Sequence, residues 1–197
     1  MYEYRKLTPK QKAEALRYRQ AMDYPLHRPP HWRESEGLFL ISAATYEHKP
    51  YFRTGEDRSK LLDMIMTELK NTGIDCYGWV VIPTHYHLLV ECKPLSLISG
   101  PLGRVHGRTS YLVNQRDGVR GRTVWCRFTD RKIRDERHYY ATLNYIHYNP
   151  VKHEQVKKPL DWPCSSVHWY LEHFGLEWLR GLWQEYPPKD YGKGWDW

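Results

Sequence analysis

The sequence has no apolar run approaching the roughly 18 to 20 residues that a bilayer crossing needs, and its opening Met1-Tyr-Glu-Tyr-Arg-Lys carries no secretory core. A cytoplasmic protein without membrane association is the expectation. Cysteine is sparse: Cys76, Cys92, Cys126 and Cys164 stand far apart with no Cys-x-x-Cys spacing, so neither a zinc knuckle nor a disulfide framework is indicated. Acidic residues are in the minority, 23 Asp+Glu against 30 Lys+Arg, for a net charge of +7. With 41% apolar and 27% charged residues, and 13 Gly and 13 Pro scattered through it, the composition is neither disordered nor collagen-like. The 197 residues suffice for one domain with appendages or two small ones. The excess of cations, beside 16 Tyr and 9 Trp, suits nucleic acid, because cations neutralise phosphates and flat rings stack on unpaired bases. It does not single out that function, since aromatics more often fill cores.

Residues 8 to 22 begin with Thr8-Pro9 and continue in good helix formers, which predicts a polar, basic helix. The three prolines of Tyr24-Pro-Leu-His-Arg-Pro-Pro-His-Trp32 then predict an extended arm. Leu38–Thr45 is an apolar run of strand length, and Leu61, Leu62, Ile65, Met66 and Leu69 recur at helical spacing within residues 56 to 71. Ile74–Ile82 and His85–Cys92 are strand-like runs separated only by Pro83-Thr84, as in an antiparallel hairpin. Leu102, Val105, Thr109, Leu112 and Val113 mark a second helix, followed by a Gly-rich loop and a strand over Thr123–Phe128. The order β-α-β-β-α-β is that of an α+β, ferredoxin-like antiparallel sheet with helices on one face. A third helix, about residues 135 to 149, is expected to stop at Pro150. The division is then residues 1–35 as helix and arm, 36–152 as the main domain and 153–197 as a Trp-rich C-terminal tail or subdomain, with Val167, Tyr170, Leu171 and Phe174 at helical spacing.

His85 and His87 lie two apart on a predicted strand, so both imidazoles project from one face and can share a metal, while Tyr86 points the other way. Ordinary strand histidines would look the same. In the helix from His138 to Asn149, Tyr139, Thr142, Leu143 and Ile146 form the buried stripe, and Tyr145 and Asn149 stand one above the other at its edge. Tyr145 is a candidate nucleophile and Asn149 a candidate metal-ligand neighbour, although a half-buried tyrosine that merely satisfies its hydroxyl is commoner. Tyr139, Tyr140 and Tyr148 are the nearby alternatives.

The residues Val81-Ile-Pro-Thr-His-Tyr-His-Leu-Leu-Val90, then Tyr145-Ile-His-Tyr-Asn-Pro-Val-Lys-His153 and Asp161-Trp-Pro-Cys-Ser-Ser166, resemble the single-tyrosine HUH transposases. Within these the chain is most similar to the REP-associated tyrosine transposases, over about residues 30 to 170, and the arm Pro30-His-Trp32 is also similar. Cys164 departs from the pattern, where an aromatic commonly stands. The resemblance implies a metal pair in His85 and His87, a nucleophile in Tyr145 and a third ligand in Asn149.

The implied activity is a metal-dependent single-stranded DNA endonuclease and strand transferase, which recognises hairpin DNA and passes through a 5′-phosphotyrosine intermediate. A phenol of pKa about 10 and an anionic phosphodiester both need help, and a divalent cation with open positions polarises and orients the phosphate. Mg²⁺ or Mn²⁺ is the expected ion. Candidates for the DNA path are Arg104, Arg108, Arg116, Arg120, Arg122, Arg127, Arg131, Arg134, Lys152, His153, Lys157 and Lys158, each equally readable as part of a solvated basic face. The relatives point to a monomer, with a dimer as the alternative, in the cytoplasm and associated with the nucleoid. The rival reading is a non-catalytic single-stranded DNA- or RNA-binding protein on the same fold. A two-histidine phosphoesterase would need paired His-x-Thr/Ser motifs, which the sequence does not contain.

Overall fold

The computed structural model describes residues 7–22, 35–188 and 191. The arm expected over residues 24–32, with Pro30 and Trp32, lies outside the described residues. Helix α1, Pro9–Ala21, starts where Thr8 and Gln11 close a capping box. Strand β1 spans Gly37–Ala44. Helix α2, Gly55–Asn71, is capped in the same way by Thr54 and Asp57 and buries Leu61, Ile65 and Leu69. Strands β2, Asp75–Ile82, and β3, His85–Cys92, form the hairpin through Pro83-Thr84. Helix α3, Ser99–Arg116, buries Leu102, Val105, Thr109 and Val113 and leaves Leu112 exposed. Strand β4, Thr129–Lys132, helix α4, Glu136–Lys152, and helix α5, Val167–Glu185, complete the order.

The sheet runs β2-β3-β1-β4, antiparallel at every pairing, which with the β-α-β-β-α-β succession is a ferredoxin-like arrangement. Side chains alternate across it. On the face of Tyr86 lies α3, bound by the Tyr86 hydroxyl 2.8 Å from Nε2 of His106; α2 is tied to α3 by Arg104–Glu68 at 2.7 Å and Arg116–Asp57 at 3.1 Å. Helix α4 covers the opposite face, that of His85, His87 and Leu89. It sits close because Gly78 has no side chain: a Cβ there would stand 3.0 Å from Leu143 Cδ1 and 3.5 Å from Ile146 Cδ1. The outer edge of β2 is covered by residues 164–166, through Val81 N–H to the Cys164 carbonyl at 3.0 Å and Ser166 N–H to the Trp79 carbonyl at 2.9 Å. Cys164 is buried there, and α5 follows, kinked at Gly175, whose φ of 82° favours glycine.

Two boundaries differ from the sequence expectation. The fourth strand is Thr129–Lys132, later than Thr123–Phe128: the earlier segment touches β1 only through the Thr45–Trp125 bridge and the Cys126 N–H on the Ala44 carbonyl. Buried Val124 and Trp125 mark where that segment packs, whereas the ladder itself is polar because it is the sheet edge. The third helix passes through Pro150 to Lys152. A proline so near the C-terminus forfeits one amide donor, and the next turn closes through His153 N–H on the Asn149 carbonyl at 3.0 Å.

Candidate active site

The β3 alternation puts His85 and His87 side by side with ring centroids 4.9 Å apart. Helix α4 starts at Asp135, whose carboxylate accepts the His138 N–H at 2.7 Å, and its register carries Tyr145 over the sheet. The Tyr145 hydroxyl lies 3.1 Å from Nε2 of His87, and the two rings are 5.0 Å apart. Asn149 follows one turn later. His153, one turn further, stacks edge-on against His85 at 4.7 Å, and the Lys152 ammonium stands 5.1 Å from the Tyr145 ring centroid. The structure thus brings His85, His87, Tyr145, Lys152 and His153 into one cluster.

Tyr145 and Asn149 are not at a half-exposed margin, as helical periodicity places them; they are 2% and 0% exposed. Everything from Thr142 to His147 is buried. The sheet covers one side of α4, while α5 and Tyr191 cover another, so a single apolar stripe no longer describes the helix. Tyr139 is in turn only half-buried. The alternative tyrosines face away from the histidines: Tyr139 meets the Tyr170 hydroxyl at 3.3 Å, Tyr140 packs on Tyr186, and Tyr148 packs on Trp183.

Among the described residues, neither amide atom of the Asn149 side chain has a hydrogen-bond partner, although both are buried. A buried, unsatisfied amide costs on the order of 1–3 kcal/mol, and a bound cation is one way to satisfy its oxygen. In donor chemistry, two imidazole nitrogens and an amide oxygen suit a divalent ion with open positions. Among the described residues, no group of three His, Cys, Asp or Glu side chains is arranged to hold a metal; the fit depends on the amide.

Sequence reasoning passed over three neighbours. Ser42, half-buried in the apolar run of β1, has its hydroxyl 2.7 Å from Nδ1 of His87. The Thr84 hydroxyl is 3.0 Å from Nδ1 of His85. Tyr191 hydrogen-bonds to the Thr142 hydroxyl, and its ring lies 5.5 Å from that of Tyr145. Ser42 had a signal, as a polar residue at the inward phase of an apolar strand; Tyr191 had none.

The basic candidates are divided between the two sides of the sheet. Arg131 is paired with Leu40 in register, which sets it on the face of Ser42 and His87. Arg104 and Arg108 belong to α3 on the other face, and Arg104 is held by Glu68. Arg116 pairs with Asp57 and Asp117, and Arg122 pairs with Asp117 while lying 4.6 Å from the Tyr51 ring centroid. Arg120, Arg127, Arg134, Lys157 and Lys158 are exposed. No helix of the described residues is long and apolar enough to cross a membrane.

No family model matches the chain. It is 34% identical over 93 residues to the REP-associated tyrosine transposase of Escherichia coli K12, and 30% identical over 122 residues to a Haemophilus influenzae protein named for the same family. These matches take in 46% and 57% of this chain and 53% and 63% of the respective relatives, so the chain spans just over half the length of the curated relatives it matches. A solved REP-associated tyrosine transposase bound to a REP hairpin superposes with a TM-score of 0.58 at 21% identity, over 73% of this chain and 86% of that one, and thereby shows the shared fold. In sequence the chain is thus similar to proteins named as REP-associated tyrosine transposases, and in fold to a solved one.

Proposed function

We propose that the protein is a metal-dependent nicking and joining enzyme for single-stranded DNA. It recognises hairpin DNA and cleaves through a covalent 5′-phosphotyrosine at Tyr145. The observation that carries this reading is the Tyr145 hydroxyl 3.1 Å from His87, with Asn149, whose amide has no hydrogen-bond partner among the described residues, one turn along the same helix. A binding module has no need for a buried phenol aimed at an imidazole pair. That the solved relative is bound to a REP hairpin supports hairpin DNA as the ligand class.

His85, His87 and Asn149 would hold Mg²⁺ or Mn²⁺, which supplies charge neutralisation at a non-bridging oxygen of the scissile phosphate. Helix α4 holds the Tyr145 oxygen in place, which removes the orientational cost of attack. The Tyr145 phenol gives its proton to solvent as its oxygen bonds to phosphorus, the bond to the 3′ oxygen breaks, and that oxygen takes a proton from solvent to become a free 3′-hydroxyl. The phosphodiester energy is conserved in the tyrosyl ester, so the 3′-hydroxyl of another strand can reverse the step without ATP. Lys152, beside the Tyr145 ring, together with Arg131, offers positive charge to the DNA backbone on this face.

The test is incubation with 5′- and 3′-labelled hairpin DNA carrying unpaired flanks, in Mn²⁺, followed by a denaturing gel. A covalent adduct on the 5′-phosphate side that Tyr145→Phe abolishes supports the reading. Tight binding of hairpins from the protein's own genomic surroundings, with no adduct from any of them, overturns it in favour of non-catalytic binding.

A further inference from the structure

Each imidazole of the pair has a hydroxyl on the same ring atom: Ser42 Oγ stands 2.7 Å from Nδ1 of His87, and Thr84 Oγ1 stands 3.0 Å from Nδ1 of His85. A neutral imidazole carries one N–H, and the partner at one nitrogen decides what the other can do. If Nδ1–H donates to the hydroxyl, Nε2 is left with a lone pair. For His87 that nitrogen is the one 3.1 Å from the Tyr145 hydroxyl.

The placement is specific. Register sets Ser42 directly opposite His87 on the adjacent strand, and it is the single hydroxyl within the apolar stretch Leu38–Ala44. Thr84 belongs to the two-residue connection between β2 and β3, immediately before His85. The two hydroxyls thus reach the two rings from different elements, yet meet the same ring position.

We propose that Ser42 and Thr84 are positioning residues that hold His87 and His85 in the Nδ1–H tautomer, so that both rings present Nε2 as an electron-pair donor. This rests on the reading of the site given under Proposed function and extends it to the groups that orient its ligands. Outer hydroxyls of this kind fix ring orientation as well as tautomer, and their loss typically costs 10–100-fold in metal affinity.

The test begins on metal-free, DNA-free protein labelled with ¹⁵N-histidine, where long-range ¹H–¹⁵N spectra read the tautomer of each ring directly. The wild type is expected to show Nδ1 protonated and Nε2 bare in both rings. Ser42→Ala should mix the tautomers of His87, and Thr84→Val those of His85, while each variant weakens Mn²⁺ binding by calorimetry roughly 10-fold. Ser42→Thr and Thr84→Ser should restore both readouts. In adduct kinetics at fixed Mn²⁺, kcat should fall in Ser42→Ala while KM for the hairpin stays unchanged. An Nε2–H tautomer in the wild type overturns the proposal, as does a Ser42→Ala protein with unaltered tautomer and Mn²⁺ affinity. Failure of the nicking activity leaves the spectra interpretable, so the two readings fail separately.

Discussion

The Tyr145 hydroxyl is hydrogen-bonded to Nε2 of His87 at 3.1 Å, although 58 residues separate them in the chain. The same nitrogen is the one the proposed metal would use. One lone pair serves one partner at a time, so the phenol and such an ion would compete for His87, and binding the ion would release the Tyr145 hydroxyl from its partner.

Tyr145→Phe should therefore do more than abolish the adduct. Removing the competing hydroxyl should leave Mn²⁺ affinity undiminished and raise it a few-fold, while hairpin affinity stays within about threefold of the wild type. The lost hydrogen bond should lower stability by about 1 kcal/mol in urea. Calorimetry with Mn²⁺ checks the first point; a clear fall in affinity would show that the phenol supports the ion rather than competing with it.

Gly78 controls how near α4 comes to the sheet. Gly78→Ala puts a methyl group 3.0 Å from Leu143 Cδ1, an overpacking expected to cost about 1–3 kcal/mol. Because Leu143 is two residues from Tyr145, the displacement should slow adduct formation more than it weakens hairpin binding. A double-mutant cycle with Leu143→Ala gives the check: the two destabilisations should sum to less than their separate values, and strict additivity would locate the clash elsewhere.

These contacts also explain what the sequence can and cannot announce. The β2–β3 hairpin, β1 and α2 are legible because Val, Ile and Leu recur at period 2 or 3.6 and only one face of each pattern needs explaining. Thr129–Lys132 is not legible, since an edge strand with polar side chains lacks any periodic signature. The His85, His87, Tyr145 and Asn149 set is legible as spacing, yet the burial of Tyr145 and Asn149 is not. For Tyr145 the cover includes Tyr191, whose ring packs against its own from far downstream along the sequence. Tertiary cover of this kind leaves no local trace.

Two histidines away from the His85–His87 pair, fully buried His147 and half-buried His106, set an acid limit on the fold. Burial holds the imidazole of His106 down to about 4, and that of His147, where the nearby His168 charge adds to burial, down to about 3, against an ordinary 6.5. Between these values and 6.5 the unfolded chain binds protons that the folded chain refuses. Stability is therefore full above pH 6.5, declines as pH falls below it and levels off only near pH 3–4, with a total effect of a few kcal/mol. Urea titrations at pH 7, 6 and 5 should show the decline before most carboxylates titrate. In His147→Gln the decline should be shallower over that range; an unchanged slope would remove His147 from the account.

Asn149 is where stability and chemistry should part. Its amide is fully buried and among the described residues neither of its polar atoms has a partner, so Asn149→Leu, of the same branched shape, should raise the unfolding free energy by about 1–3 kcal/mol in the metal-free protein. The same change removes an oxygen from the proposed ligand set, so Mn²⁺ affinity and adduct formation should both fall at least 10-fold. Asn149→Asp supplies the opposite case. A buried carboxylate without a partner should destabilise the metal-free protein, and Mn²⁺ should raise its Tm more than it raises that of the wild type. If Asn149→Leu binds Mn²⁺ as tightly as the wild type and Asn149→Asp gains nothing from the ion, then the amide is a packing residue and the metal rests on the histidines alone.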